Sequence, residues 1–138
     1  MERVYTAPLL DKLGVRAGAR VSLIGEAVMT AWFRELLADR TDDVIVGMPD
    51  GRRDLIFIGA DSPAELDVLS RLVRRLVSTG AIWVVSRKGR TATLRDVQVI
   101  AAAKAVGLVD NKVASFSDTH TALRLVVPVA MRRTIGGR

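Results

Sequence analysis

Asp54 to Arg90 reads DLIFIGADSPAELDVLSRLVRRLVSTGAIWVVSRKGR, and this stretch decides the fold. Leu55–Gly59 is a short apolar run of the kind that forms a strand buried on both faces. Ser62 follows as a helix N-cap, with Pro63 at the first helical position and Glu65 completing a capping box. Leu66, Leu69, Leu72, Val73, Leu76 and Val77 then recur at helical spacing, leaving Arg71, Arg74, Arg75 and Ser78 on a solvated face. Gly80 is the expected helix stop. Ala81–Ser86 is a second apolar strand, with Trp83 as a core residue at its middle. Two strands joined by a helix of this length form a βαβ unit, parallel in one sheet.

The flanking segments extend that unit. Tyr5–Leu13 reads as a short helix stopped by Gly14, and Ala19–Gly25 as a strand. Ala27–Ala38 predicts a helix whose Val28, Trp32, Phe33, Leu36 and Leu37 pack on the sheet, so Trp32 and Phe33 are expected in the core. Val44–Gly47 is a further strand. Between it and Leu55, Pro49-Asp50-Gly51 is strong turn chemistry that by itself points to a hairpin. A loop recrossing the sheet would instead leave two parallel strands on opposite sides of the Ala19–Gly25 strand. The residues alone leave 44–58 open between the two. Thr93–Val106 reads as a helix capped by Thr93, with Asp96 at the box position and Gly107 as its stop. Lys112–Ser117 and Thr121–Pro128 are strands flanking an Asp118-Thr119-His120 turn. Residues 1–131 are expected to form a single α/β domain, and 132–138 a flexible basic tail.

Composition bounds the function. A chain of 138 residues is the size of one hydrophobic core. Cysteine is absent, which excludes disulfides and thiolate metal sites, and a single histidine argues against zinc. Residues 1–18 lack a signal-peptide pattern, and no apolar run approaches the ~20 residues of a membrane span. A soluble, cytoplasmic protein is expected, with no membrane partner. The formal charge of +6 favours acidic ligands or nucleic acid. The basic residues are nevertheless mostly arginine spread along the whole chain, and aromatic residues make up only 4% of it. A solvated basic surface is therefore preferred over a nucleic-acid interface.

Three stretches, GARVSLIG, DLIFIG and STGAIWVV, resemble the first, fourth and fifth strands of the class I S-adenosylmethionine-dependent methyltransferase sheet. NKVASFSD and HTALRLVVP resemble its final hairpin, whose last strand is antiparallel to the rest. KLGVRAGARV, GAIWV, GLVDNKV and SDTHTAL are also similar to a family of small bacterial proteins of unknown function, over most of the chain. The resemblance implies a Rossmann-like, three-layer α/β/α sandwich, with a mostly parallel sheet of order 2-1-3-4-6-5 and a C-terminal antiparallel hairpin strand. It favours the parallel reading of 44–58.

The departures from that family carry the functional reading. Its cofactor needs a glycine-rich turn after the first strand, as dinucleotide sites do. Here the turn is Gly25-Glu26-Ala27-Val28. An acid should end the next strand to hold the ribose hydroxyls, yet Val46-Gly47 stands there, with Asp50 further on. Ligands of open α/β sheets bind at strand carboxyl ends. Those ends offer Gly25, Glu26, Asp61, Ser62, Arg87 and Lys88, joined by Thr119 and His120 if the last strand lies beside Ala81–Ser86. Such a group can hold a phosphate or carboxylate. Plainer roles compete: helix capping for Asp61 and Ser62, a solvated loop for Arg87 and Lys88, a surface turn for His120. No catalytic triad, phosphate loop or metal motif is present, and Glu26 with Asp61 is the sole candidate carboxylate pair. The expectation is a noncatalytic binding or regulatory protein without cofactor, taking a small anionic ligand. The alternatives are a divergent methyltransferase or other transferase, and a nucleic-acid-binding module. A homodimer through the sheet edge is a further expectation.

Overall fold

A computed structural model describes residues 3–132. Its elements are α1 (Arg3–Leu13), β1 (Val21–Ile24), α2 (Ala31–Ala38), β2 (Val44–Val46), β3 (Arg53–Gly59), α3 (Leu69–Leu72), β4 (Leu76–Arg87), α4 (Asp96–Ala105), β5 (Val109–Ser115) and β6 (His120–Val126). The basic tail expected at 132–138 lies, beyond Arg132, outside the described residues. The six strands form one sheet in the order β2-β1-β3-β4-β6-β5. β2, β1, β3 and β4 run parallel, and β6 is antiparallel to both β4 and β5. This is the Rossmann-like sheet that the resemblance implied.

Alternation along the strands builds two cores, as the strand period of two requires. Leu55, Phe57, Ala81, Trp83 and Val85 face α1 and α2, whose Leu10, Leu13, Phe33, Leu36 and Leu37 complete one cluster. Ile56, Ile58, Ile82 and Val84 face the other way, under Leu66, Leu69, Leu72, Val99 and Ala103. Trp83 is fully buried, and its indole N–H donates to the Leu13 carbonyl at 3.0 Å, tying the end of α1 to the middle of the sheet.

The open question at 44–58 resolves as two parallel strands. Val44–Val46 pairs with Val21–Leu23 on one side of β1, and Leu55–Ile58 pairs with Val21–Ile24 on the other. Gly47, at φ 98, redirects the chain before the Pro49-Asp50-Gly51 turn. Buried Arg53 anchors the return, its Nη2 donating to the carbonyls of Val21 at 2.8 Å and Asp43 at 2.9 Å and to the Asp43 carboxylate at 2.6 Å. A turn signal reports local bending; long-range pairing decides which strand the chain meets next.

Other boundaries shift. The helix expected at Ala27–Ala38 is split into a 3₁₀ turn, Glu26–Val28, and α2, separated by Thr30 in an extended conformation. The segment after Ser62 is mixed: 3₁₀ at Pro63–Val68, α at Leu69–Leu72, and 3₁₀ again at Val73–Arg75. It ends before Leu76, which pairs with Arg53 at the start of β4. Gly80 is no helix stop. A Cβ there would stand 2.5 Å from the Asp54 carbonyl oxygen, so glycine is needed where β4 crosses close to β3. Thr93 does not cap α4; the cap position is Arg95, whose N–H donates to the Gln98 side chain at 2.9 Å. Trp32 is 43% exposed, contrary to its expected place in the core, although Phe33 beside it is fully buried.

Candidate functional site

The carboxyl ends of β1 and β3 are where the fold would place a nucleoside cofactor. Gly25 leaves β1 at φ 96, ψ 152, a conformation reserved for glycine. That bend turns its Cα toward β3, where an added Cβ would lie 2.8 Å from the Gly59 carbonyl oxygen. Gly59 is covered in turn, since its own added Cβ would meet the Ala27 methyl at 3.0 Å. Val28, next in the 3₁₀ turn, is fully buried in the core beneath α2. Gly25 and Gly59 thus continue the close approach of β1 and β3 past Ile24 and Ile58, with the Ala27 methyl against Gly59. At the end of β2, Val46 is half-exposed and Gly47 follows, so no acid stands where the ribose hydroxyls would be held. Asp50 lies in the loop beyond, its carbonyl oxygen accepting from Arg75 at 2.7 Å. These residues do not fit S-adenosylmethionine.

A denser polar group sits across the ends of β3, β4 and β6. Asp61 is its centre: one carboxylate oxygen accepts the Arg87 N–H at 2.9 Å, and the other stands 3.7 Å from the Arg87 Nε. Its own N–H donates to Glu65 at 2.8 Å. Ser62 caps the helical segment as expected, its hydroxyl accepting the Glu65 N–H. The Glu65 carboxylate, however, takes the Asp61 N–H and the Ser62 hydroxyl in place of the Ser62 N–H that a capping box requires. The Thr93 hydroxyl donates to the Asp61 carbonyl oxygen at 2.6 Å, a role that its reading as a cap missed. Asp61 therefore links the ends of β3 and β4 to the loop before α4.

The pairing of β4 with β6 brings the two halves of the candidate site together. Arg87 is the direct partner of His120, and the Lys88 N–H donates to the Thr119 carbonyl oxygen at 3.0 Å. The Lys88 ammonium donates to the Ser115 hydroxyl at 2.8 Å. Thr119 Oγ1 and His120 Nδ1 are 2.8 Å apart, and the Ser117 hydroxyl accepts the N–H groups of both residues. Ser115 and Ser117 escaped the sequence reading; the sheet register is what puts Ser115 beside Lys88. Arg87, Lys88, Thr119 and His120 form one cluster with Asp61 and Ser62, whereas Gly25 and Glu26 belong to the closed β1–β3 junction. Among the described residues, no hydrogen bond or ion pair joins Glu26 to Asp61. An open depression of about 560 Å³ lies beside the cluster, lined by Lys88, Gly89, Leu94, Arg95 and Thr121. The described residues contain no group of acids and histidines suited to a metal ion, and no helix among them is long and apolar enough to cross a membrane.

No family model and no curated protein matches the sequence. Solved structures do match the fold. The CcbJ methyltransferase of Streptomyces caelestis superposes with a TM-score of 0.61 at 11% identity, covering 88% of this chain and 89% of that one. Precorrin-6y C5,15-methyltransferase from Geobacter metallireducens gives 0.60 at 12% identity, covering 88% and 87%. Precorrin 8w decarboxylase from Methanobacterium thermoautotrophicum gives 0.57 at 12% identity, covering 89% of each chain. Identities this low speak for the fold alone. Sheet order, strand directions and these neighbours together identify the fold as the Rossmann-like α/β fold of class I methyltransferases.

Proposed function

We propose that this is a noncatalytic binding or regulatory protein, built on a methyltransferase sheet whose cofactor crevice has closed. The observation that supports the reading is the packing of the Ala27 methyl on Gly59, next to the close approach of Gly25 to Gly59 at the end of β1. Its ligand is a small anion held at the ends of β4 and β6. Arg87, more than half exposed, supplies a forked donor. The Lys88 ammonium keeps donors beyond the one given to Ser115.

Isothermal titration calorimetry against S-adenosylmethionine and S-adenosylhomocysteine tests the proposal. The expected result is no heat of binding for either at millimolar concentration. Micromolar binding of either one overturns the reading in favour of a divergent methyltransferase.

A further inference from the structure

Trp32 has no role in the reading above, and its position is unusual for an indole on a sheet-packing helix. It is 43% exposed, yet its ring is fixed, 5.3 Å between centroids from Phe116 and 5.6 Å from Phe33. Phe116 is itself buried and packs on Phe33 at 4.8 Å. Trp32 is therefore a braced aromatic plate with open surface.

The sheet register shows what lies beside that plate. Phe116 and His120 face each other across the β5–β6 turn, where the Phe116 N–H donates to the His120 carbonyl oxygen at 3.0 Å. His120 is in turn the partner of Arg87. Trp83 and Val85 point into the core under α1 and α2, and so do Ala122 and Val126. The alternation of each strand therefore carries Arg87 and His120 to that same face. Phe116, His120 and Arg87 form a row across three adjacent strands, with Trp32 resting on its aromatic end. Two inter-strand spacings separate the ends of the row, about 10 Å. Asp61 beyond Arg87 closes the row, its carboxylate already committed to that residue.

We infer that Trp32 is an aromatic wall on the α1 and α2 face of the sheet, beside Arg87 and His120, and that the ligand is a small molecule joining a planar ring to a phosphate through a short linker, as in a nucleoside monophosphate. This inference rests on Arg87 as the anion donor proposed above, while Lys88 and the depression beside Leu94 and Thr121 lie on the other face. An aromatic ring stacks on the indole face, while Arg87 and the imidazole of His120 meet the phosphate. A phosphate alone would make no contact with the plate.

The test compares uridine 5′-monophosphate with ribose 5-phosphate, which lacks the ring. Affinities are read from the imidazole resonances of His120, the single histidine of the chain, and by calorimetry. Wild-type protein is expected to bind the nucleotide roughly tenfold more tightly than the sugar phosphate, with quenching of Trp32 fluorescence while buried Trp83 stays unaffected. Trp32→Leu should abolish that ratio while leaving the affinity for ribose 5-phosphate unchanged. Trp32→Phe, which keeps a ring, should retain part of the ratio and guards against a folding defect in the leucine variant. Equal affinity for the two ligands in the wild type, or a tenfold ratio that survives in Trp32→Leu, overturns the inference while sparing the anion site. Failure of both ligands to bind removes the anion site and this inference together.

Discussion

Gly25→Ala probes the closure of the β1–β3 junction most directly, because the consequence can be worked out from two structural features. The backbone at φ 96, ψ 152 lies in a region essentially confined to glycine, and a side chain there costs about 1–3 kcal/mol. The new Cβ would also stand 2.8 Å from the Gly59 carbonyl oxygen, 3.1 Å from its nitrogen and 3.2 Å from its Cα. All three atoms are main chain of a central strand and cannot swing aside, so overpacking adds about 1–3 kcal/mol. A total near 3 kcal/mol would lower the melting temperature of a chain this size by about 10 °C. Gly14→Ala is the control: Gly14 also has a positive φ, 74°, but an added Cβ meets nothing within 4 Å. That variant should lose only about 1–2 kcal/mol, the cost of the left-handed backbone. Urea unfolding followed by circular dichroism gives both values, with an unchanged m-value showing that the denatured state is not altered. If Gly25→Ala costs no more than Gly14→Ala, the two strand ends are not in contact, and the closed-crevice argument fails with them.

Two further outcomes follow from the same packing. Trp83→Phe removes the indole donor from the Leu13 carbonyl and leaves a gap in a fully buried site. It should destabilise the protein by about 3 kcal/mol in urea unfolding, and a cost below about 1 kcal/mol would mean that α1 is not held there. Burial alone pushes the Asp54 carboxyl up, but hydrogen bonds from the Arg20 guanidinium and backbone N–H, with the nearby arginine charges, outweigh it and hold the group below its ordinary 3.8. A carboxyl held low stabilises the fold above its unfolded value and loses that contribution as pH falls through the lower folded value. Wild type should therefore exceed Asp54→Asn in stability at pH 6, with the gap closing below about pH 4; a gap that stays constant down to pH 2 contradicts this.

Local pattern sufficed wherever one face of an element had to be buried. The strands around Ile56, Phe57 and Trp83, the Ser62-Pro63-Glu65 cap and the final hairpin follow from hydrophobic periodicity and turn chemistry, which act within a few residues. Of the site, the sequence placed Asp61, Ser62, Arg87 and Lys88 at strand ends, because those positions follow directly from the strand boundaries. It also marked the valine and alanine after Gly25 as an obstacle to a nucleoside.

Whatever depends on residues far apart in the chain was settled by tertiary structure. Pro49-Asp50-Gly51 marks a turn, but pairing of β2 and β3 with opposite sides of β1 made the strands parallel. Gly80 looked like a helix stop and is instead a close approach to Asp54. Trp32 was read as core from its spacing on α2, and it is instead 43% exposed, with its ring against Phe116 from another segment. The joining of His120 to Arg87 needed the register of β4 with β6. Periodicity records which face of an element avoids water. It carries no information about which distant element meets that face, since register and contact are fixed only when the whole sheet closes its two cores.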